Sequence, residues 1–221
     1  VLGVETLLGH AKHRLVIPAV NMTKGSVQMF KTAHHPNFVR DHLRRAADIA
    51  LATSAAPTFF PLAEIDHAYF ADGGLVANAP DMCALHEACI FLDTNPADVS
   101  ILSVGTTTTG FSLPRSIGRH LGSLNWTARG RLFSTIVSSQ QQLVDFMLRH
   151  QLGERYLRID ARPGEEQQTD MAMDVADKSA QGTLLGLAEG SYQQYSTYPK
   201  LLSMLAHTPV KPKFYHSHQS Y

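Results

Sequence analysis

Asp72 closes the apolar run Ala68-Tyr69-Phe70-Ala71 and is followed by Gly73 and Gly74, which makes it the residue in this sequence best placed to do chemistry. Two glycines permit a tight turn and close backbone approach. A carboxylate at the C-terminal end of a strand faces the crevice where open α/β sheets hold ligands, and there it can take a proton from a nucleophile. Asp before Gly-Gly is also a common turn opener, and on the triplet alone the turn is the favoured reading. Ser54 is a nucleophile by type, but its setting, Ala52-Thr53-Ser54-Ala55-Ala56-Pro57, points to close packing. Of the 12 histidines, His34-His35 precede Pro36 and His216-Ser217-His218 lies in a polar tail. Neither group has a carboxylate or cysteine at ligand spacing, so both read as solvated surface and no metal is expected. The stretch from Gly105 to Gly110 follows a strand but lacks the Gly-Lys-Ser/Thr ending of a phosphate loop.

A second group could bind rather than react. No acidic residue occurs between Asp98 and Asp145, and the interval holds Arg115, Arg119, Arg129 and Arg131 with His120 among them. Each arginine alone reads as part of a solvated face. Together they would set up a local positive field that attracts anions, and guanidinium forks suit phosphate. The single tryptophan, Trp126, reads as buried packing.

Elements must position these groups. Arg14 to Asn21 reads as a strand buried on both faces, and Val27 to Thr32 as a second, joined to it by a turn at Thr23-Lys24-Gly25. Asp41 to Ser54 has helical periodicity, with Leu43, Ala47, Ala50 and Leu51 on one face, and it stops at Pro57. Ala68 to Asp72 is a short strand, and Pro80 opens a helix that runs from Asp81 to Leu92. Val99 to Val104 is a strand, Ala128 to Leu152 a helix, Arg155 to Ile159 a strand, and Asp174 to Leu205 a last helix. Strands alternating with helices predict an α/β fold with a mostly parallel central sheet covered on both faces. Asp72 is then expected at the C-terminal end of a central parallel strand.

The 221 residues, 44% of them hydrophobic, suffice for one sizeable core. Lys plus Arg and Asp plus Glu number 19 each, so net charge gives no sign of a nucleic-acid polymer as partner. Cys83 and Cys89 are too few for a disulfide framework and point to a reducing, cytoplasmic setting. No apolar run reaches the length of a membrane span, so contact with lipid is expected to be peripheral. The chain opens on Val1, which reads as the edge of a fragment or of a processed product.

Three segments in order carry a resemblance. They are Ala52-Thr53-Ser54-Ala55-Ala56-Pro57-Thr58-Phe59-Phe60-Pro61, then Phe70-Ala71-Asp72-Gly73-Gly74-Leu75-Val76-Ala77-Asn78-Ala79-Pro80, then Leu102-Ser103-Val104-Gly105-Thr106. Together with Phe30-Lys31-Thr32 they resemble the patatin-like phospholipases of bacterial type over about Leu15 to Gly110. The resemblance implies a lipid acyl hydrolase that cleaves fatty acyl esters with a Ser-Asp dyad and no histidine. Asp72 would be its base, supported by Gly73 and Gly74. Phospholipid or another acyl-ester lipid would be the substrate, with no cofactor. Some bacterial members are antiphage effectors switched on by cyclic dinucleotides, so the arginine block would take either such an activator or membrane phosphates. The sequence departs from the family in having no G-x-S-x-G, the elbow that holds the serine. Residues 1–221 are therefore expected to form a single patatin-like domain lacking its N-terminal, nucleophile-bearing segment, inactive alone. The alternative is a non-catalytic ligand- or protein-binding module on the same fold. Oligomeric state is not legible.

Overall fold

The computed structural model describes residues 3, 5–107, 112–113, 115–127, 130–164, 166–170 and 175–216. It divides into two compact units: residues up to Pro96 together with those from Pro209 on, and Ala97–Thr208.

The first unit is built on a four-stranded sheet in the order β2-β1-β4-β3. Its strands are β1 (Val16–Asn21), β2 (Ser26–Lys31), β3 (Ala63–Ile65) and β4 (Ala68–Asp72). Every pairing in it is antiparallel, which corrects the mostly parallel sheet that the alternation of elements predicts. The reason lies in two tight turns, because strands joined by a short hairpin must run antiparallel. β1 and β2 turn through Gly25 at φ +63, where Asn21 Oδ1 accepts from the Lys24 N–H. β3 and β4 are joined by only Asp66 and His67, at φ +48 and +63. Two left-handed residues in a two-residue loop make the type I′ turn whose twist suits a hairpin.

Alternation along the strands puts Ile17, Ala19, Phe30 and Phe70 on one face. There they meet α1 (Ala46–Thr53) through Ile49 and Ala52 in the unit's core cluster. The Phe30 and Phe70 rings lie 5.4 Å apart in a tilted pair. The helical face differs from the predicted one: Ile49 and Ala52 are fully buried, while Leu43 and Leu51 are exposed. Leu43 sits in a separate 3-10 turn, Asp41–Leu43, and the chain extends at Arg44 and Arg45 before α1 begins. The helical phase is therefore reset between the two. After β4 come α2 (Gly74–Ala77) and α3 (Asp81–Phe91). Lys31, next to Phe30 and hence on the opposite face, bonds Glu87 of α3.

The second unit holds β5 (Ile101–Val104) and β6 (Tyr156–Ile159), the only parallel pair among the described residues. Between them in sequence lie α4 (Ser123–Thr127) and α5 (Arg131–Leu152), and α5 buries Leu148 and Leu152. The predicted final helix is two, α6 (Lys178–Tyr195) and α7 (Pro199–Leu205). Pro199 explains the break, since it lacks an N–H and disfavours helical backbone at Tyr198. Asp177 caps α6 by accepting from the Ala180 N–H at 2.8 Å. No helix among the described residues is long and apolar enough to cross a membrane.

Candidate active site

Asp72 ends β4, an interior strand, opposite Ala19 of β1. Three elements fix its backbone. The Asp72 N–H donates to the Ala55 carbonyl at 3.0 Å, and the Gly73 N–H to the Thr53 carbonyl at 3.1 Å. The Thr53 hydroxyl in turn donates to the Pro18 carbonyl of β1 at 2.6 Å. The end of α1 is thus fastened both to β1 and to the aspartate's own turn.

Space explains both glycines. Gly73 has a helical φ of −63, so its conformation asks nothing special. A Cβ there, however, would stand 2.2 Å from the Pro18 carbonyl oxygen and 2.8 Å from its carbon. At Gly74 a Cβ would meet the Asp72 carboxylate at 2.9 Å and the Asn78 amide at 3.0 Å. The glycines let backbone approach backbone and carboxylate. Ala55, whose carbonyl accepts from Asp72, and the neighbouring Ala56 are both buried.

The Asp72 carboxyl is half-buried. Burial pushes its pKa above the ordinary value, and the Gly74 N–H that donates to Oδ1 opposes the shift in part. A carboxylate whose charge is disfavoured by desolvation takes a proton more readily. The Ser54 hydroxyl is turned elsewhere, donating to the Ala50 carbonyl at 2.7 Å.

The histidines need a correction. His34 is buried, not solvated. Thr32 Oγ1 accepts from the Leu15 N–H at 2.9 Å and lies 2.8 Å from His34 Nδ1, while His34 Nε2 lies 2.9 Å from Glu87 Oε1. Lys31 Nζ closes the chain on Glu87 Oε2 at 2.6 Å and sits over the rings of Phe38 and Phe91. A neutral ring with its proton on Nε2 satisfies every partner, and burial holds the His34 pKa below its usual value, outweighing the pull of Glu87. The companion carboxylate lies far along the chain, so local spacing could not reveal it. The available signal was Glu87 itself, a lone acid inside an apolar helix stretch. His216 is half-buried and reaches the Pro36 carbonyl, and Ser217 and His218 lie outside the described residues.

Arg115 and Arg119 are exposed on and just after a 3-10 turn, Arg131 donates to the Asn125 carbonyl, and Arg129 lies outside the described residues. Trp126 is half-buried in α4. Among the described residues no group of three or more His, Cys, Asp and Glu is placed to hold a metal ion.

The family described as "Patatin-like phospholipase" matches residues 5–82, which include the whole four-stranded sheet, α1 and Asp72. A "cGAMP-activated phospholipase" of Pseudomonas aeruginosa is 41% identical over 213 residues, covering 96% of this chain and 63% of the relative. One of Vibrio cholerae is 35% identical over 225 residues, with 95% and 63% covered. "Patatin-like protein 3" of Arabidopsis thaliana is 30% identical over 122 residues, or 46% of this chain and 28% of that protein. The chain thus spans a little under two thirds of the length of the two bacterial relatives. A matched segment that takes in the aspartate turn, and relatives aligned along nearly all of the sequence, make this chain similar to the patatin-like phospholipases.

Proposed function

We propose that this chain is the aspartate-bearing part of a lipid acyl hydrolase of the phospholipase A type, activated by a cyclic dinucleotide. The carrying observation is Asp72, held at the end of an interior strand by Thr53, Ala55 and a Gly73 with no room for a side chain, its carboxyl made more basic by burial. The bacterial relatives, named as cGAMP-activated phospholipases, supply the substrate class and the activator. The sequence has no G-x-S-x-G, so the nucleophilic serine comes from polypeptide outside these residues. In the reaction, the serine hydroxyl gives its proton to Asp72 as its oxygen attacks the fatty acyl carbonyl. The acyl–oxygen bond then breaks, and Asp72 returns the proton to the departing lysolipid oxygen. Water repeats the sequence on the acyl-serine, releasing the fatty acid and regenerating the serine. No histidine and no metal take part, and contact with the lipid surface is peripheral.

The test is hydrolysis of phospholipid vesicles by the intact protein, with and without cyclic GMP–AMP, for wild type and Asp72→Asn. Asparagine keeps the size and the hydrogen bond to Gly74 but cannot take the serine proton. The expected loss is about a hundredfold or more. An Asn variant with wild-type turnover would end the assignment.

A further inference from the structure

The family match ends at residue 82, whereas the alignment with the Pseudomonas aeruginosa relative covers 96% of the chain and so takes in the second unit. What the activated relatives share beyond the general family therefore lies largely past α2 and the start of α3, in Ala97–Thr208. That unit contains a cavity of about 550 Å³ walled by the end of α5, the start of β6, the end of α6 and the start of α7. Its volume lies inside the usual range for small-molecule sites.

The walls combine two chemistries. Tyr156 is buried, with the Arg149 guanidinium 5.9 Å from its ring centroid. Tyr195 and Tyr198 stand edge to face, centroids 5.9 Å apart, and Tyr198 is 40% exposed. Tyrosine faces of this kind stack nucleobases. The lining cations are Arg149, Arg158 and Lys200, against Glu154 as the lining acid. Lys200 Nζ donates to the Tyr156 carbonyl at 3.1 Å and reaches Glu154 at 3.4 Å. The Glu154 side chain is 99% exposed, so this ion pair is weak in water and a phosphate oxygen can replace it. Asp145 and Asp160 hold Arg149 and Arg158 from outside the lining, at 2.8 and 2.6 Å. Asp145 holds Arg149 through Nε, so the terminal amino groups of Arg149 can donate as a fork, whereas Arg158 spends Nη1 on Ser103 and Nη2 on Asp160.

We propose that this cavity binds a cyclic dinucleotide, with Tyr198 stacking on a purine and Lys200 and Arg149 meeting the phosphodiesters. Two ring faces and two cations, with side chains 57% exposed at Arg149 and 19% at Lys200, match a ligand with two bases and two phosphates, more than a single nucleotide requires. The assignment rests on the reading that the protein is nucleotide-activated, and it moves the anion site away from Arg115 and Arg119.

Calorimetric titration of the intact protein with cyclic GMP–AMP, at fixed moderate salt, tests it. Tyr198→Ala and Lys200→Gln are each expected to weaken binding by about tenfold or more. Tyr198→Phe, which keeps the ring, should bind as wild type. So should the double variant Arg115→Gln/Arg119→Gln. An equimolar mixture of GMP and AMP should bind far more weakly than the cyclic compound. Melting of each unliganded variant establishes that it is folded, and Tyr198→Phe against Tyr198→Ala separates loss of the ring from loss of the fold. If wild type binds but the cavity variants bind equally well, the site is wrong and activation stands. The same holds if the Arg115/Arg119 variant alone loses binding. If wild type itself takes up no cyclic GMP–AMP, nucleotide activation fails, and this site fails with it.

Discussion

Thr53 does more for Asp72 than its place in a helix suggests. Its carbonyl accepts from the Gly73 N–H and its hydroxyl donates to the Pro18 carbonyl, so one residue ties α1, β1 and the aspartate turn together. Thr53→Val keeps the shape and removes the hydroxyl donor. It is expected to lower stability by about 1–3 kcal/mol and to reduce kcat more than it raises KM, because what loosens is the base and not the lipid contact. Thr53→Ser, which restores the hydroxyl, should recover both. Denaturant unfolding and steady-state hydrolysis in the intact protein provide the check, and a Val variant matching wild type in both would refute the role. None of this was legible beforehand. Thr53 stands in the family-like segment, but its contacts run to Pro18 and Gly73, and only the fold brings those three positions together.

Among elements, β4 was the most legible and β3 the least. Ala68–Asp72 coincides with its expected bounds because an apolar run stopped by Gly-Gly leaves little choice. β3 has three residues, and its turn is Asp66-His67, which lacks the Asn-Gly signature of a type I′ hairpin. Without that signature, the alternation of elements predicts a parallel sheet. The same turn yields a prediction. His67 carries a left-handed φ and its side chain is wholly exposed, so His67→Gly removes backbone strain and forfeits no packing. We expect it to stabilise the protein by up to about 1 kcal/mol, the relief of an unfavourable φ set against the greater freedom of glycine in the unfolded chain. A lower melting temperature for the variant would contradict the turn assignment. The α1 face differs from the expected one for a related reason: the periodicity from Asp41 to Ser54 predicts one helix, whereas the extended Arg44-Arg45 splits it.

For the molecule as a whole, buried titratable groups set the response to pH. His34, facing Glu87, Lys31 and Arg14, is held below its usual 6.5 by burial. Below that value the unfolded chain gains a proton that the folded ring resists, so stability falls as pH drops from 6.5 through the folded value. Asp72 and Asp41 act in the opposite sense. Burial pushes both above 3.8, so their contribution is fully present below 3.8 and is lost as pH rises through their folded values. The mildly acidic limb should therefore belong to His34. Urea midpoints measured at successive pH values are expected to decline below 6.5 for wild type and to flatten for His34→Gln, whose amide can serve both Thr32 and Glu87. An unchanged slope in that variant would assign the limb elsewhere. At this scale composition said little, since a balanced charge count does not reveal which ionisable groups the fold takes out of water.

The contact between Gly73 and the Pro18 carbonyl constrains how such a protein can change. The gap leaves no room for a side chain at Gly73, and the oxygen it faces is also the one that Thr53 holds. A substitution at any of the three alters the environment of the other two, so their effects should be strongly non-additive. Borrowing the Asp-Gly-Gly triplet for another scaffold would transfer a carboxylate without its mounting. The smallest portable unit is the triplet together with the last turn of one helix and the middle of a neighbouring strand, three stretches of chain that must travel together.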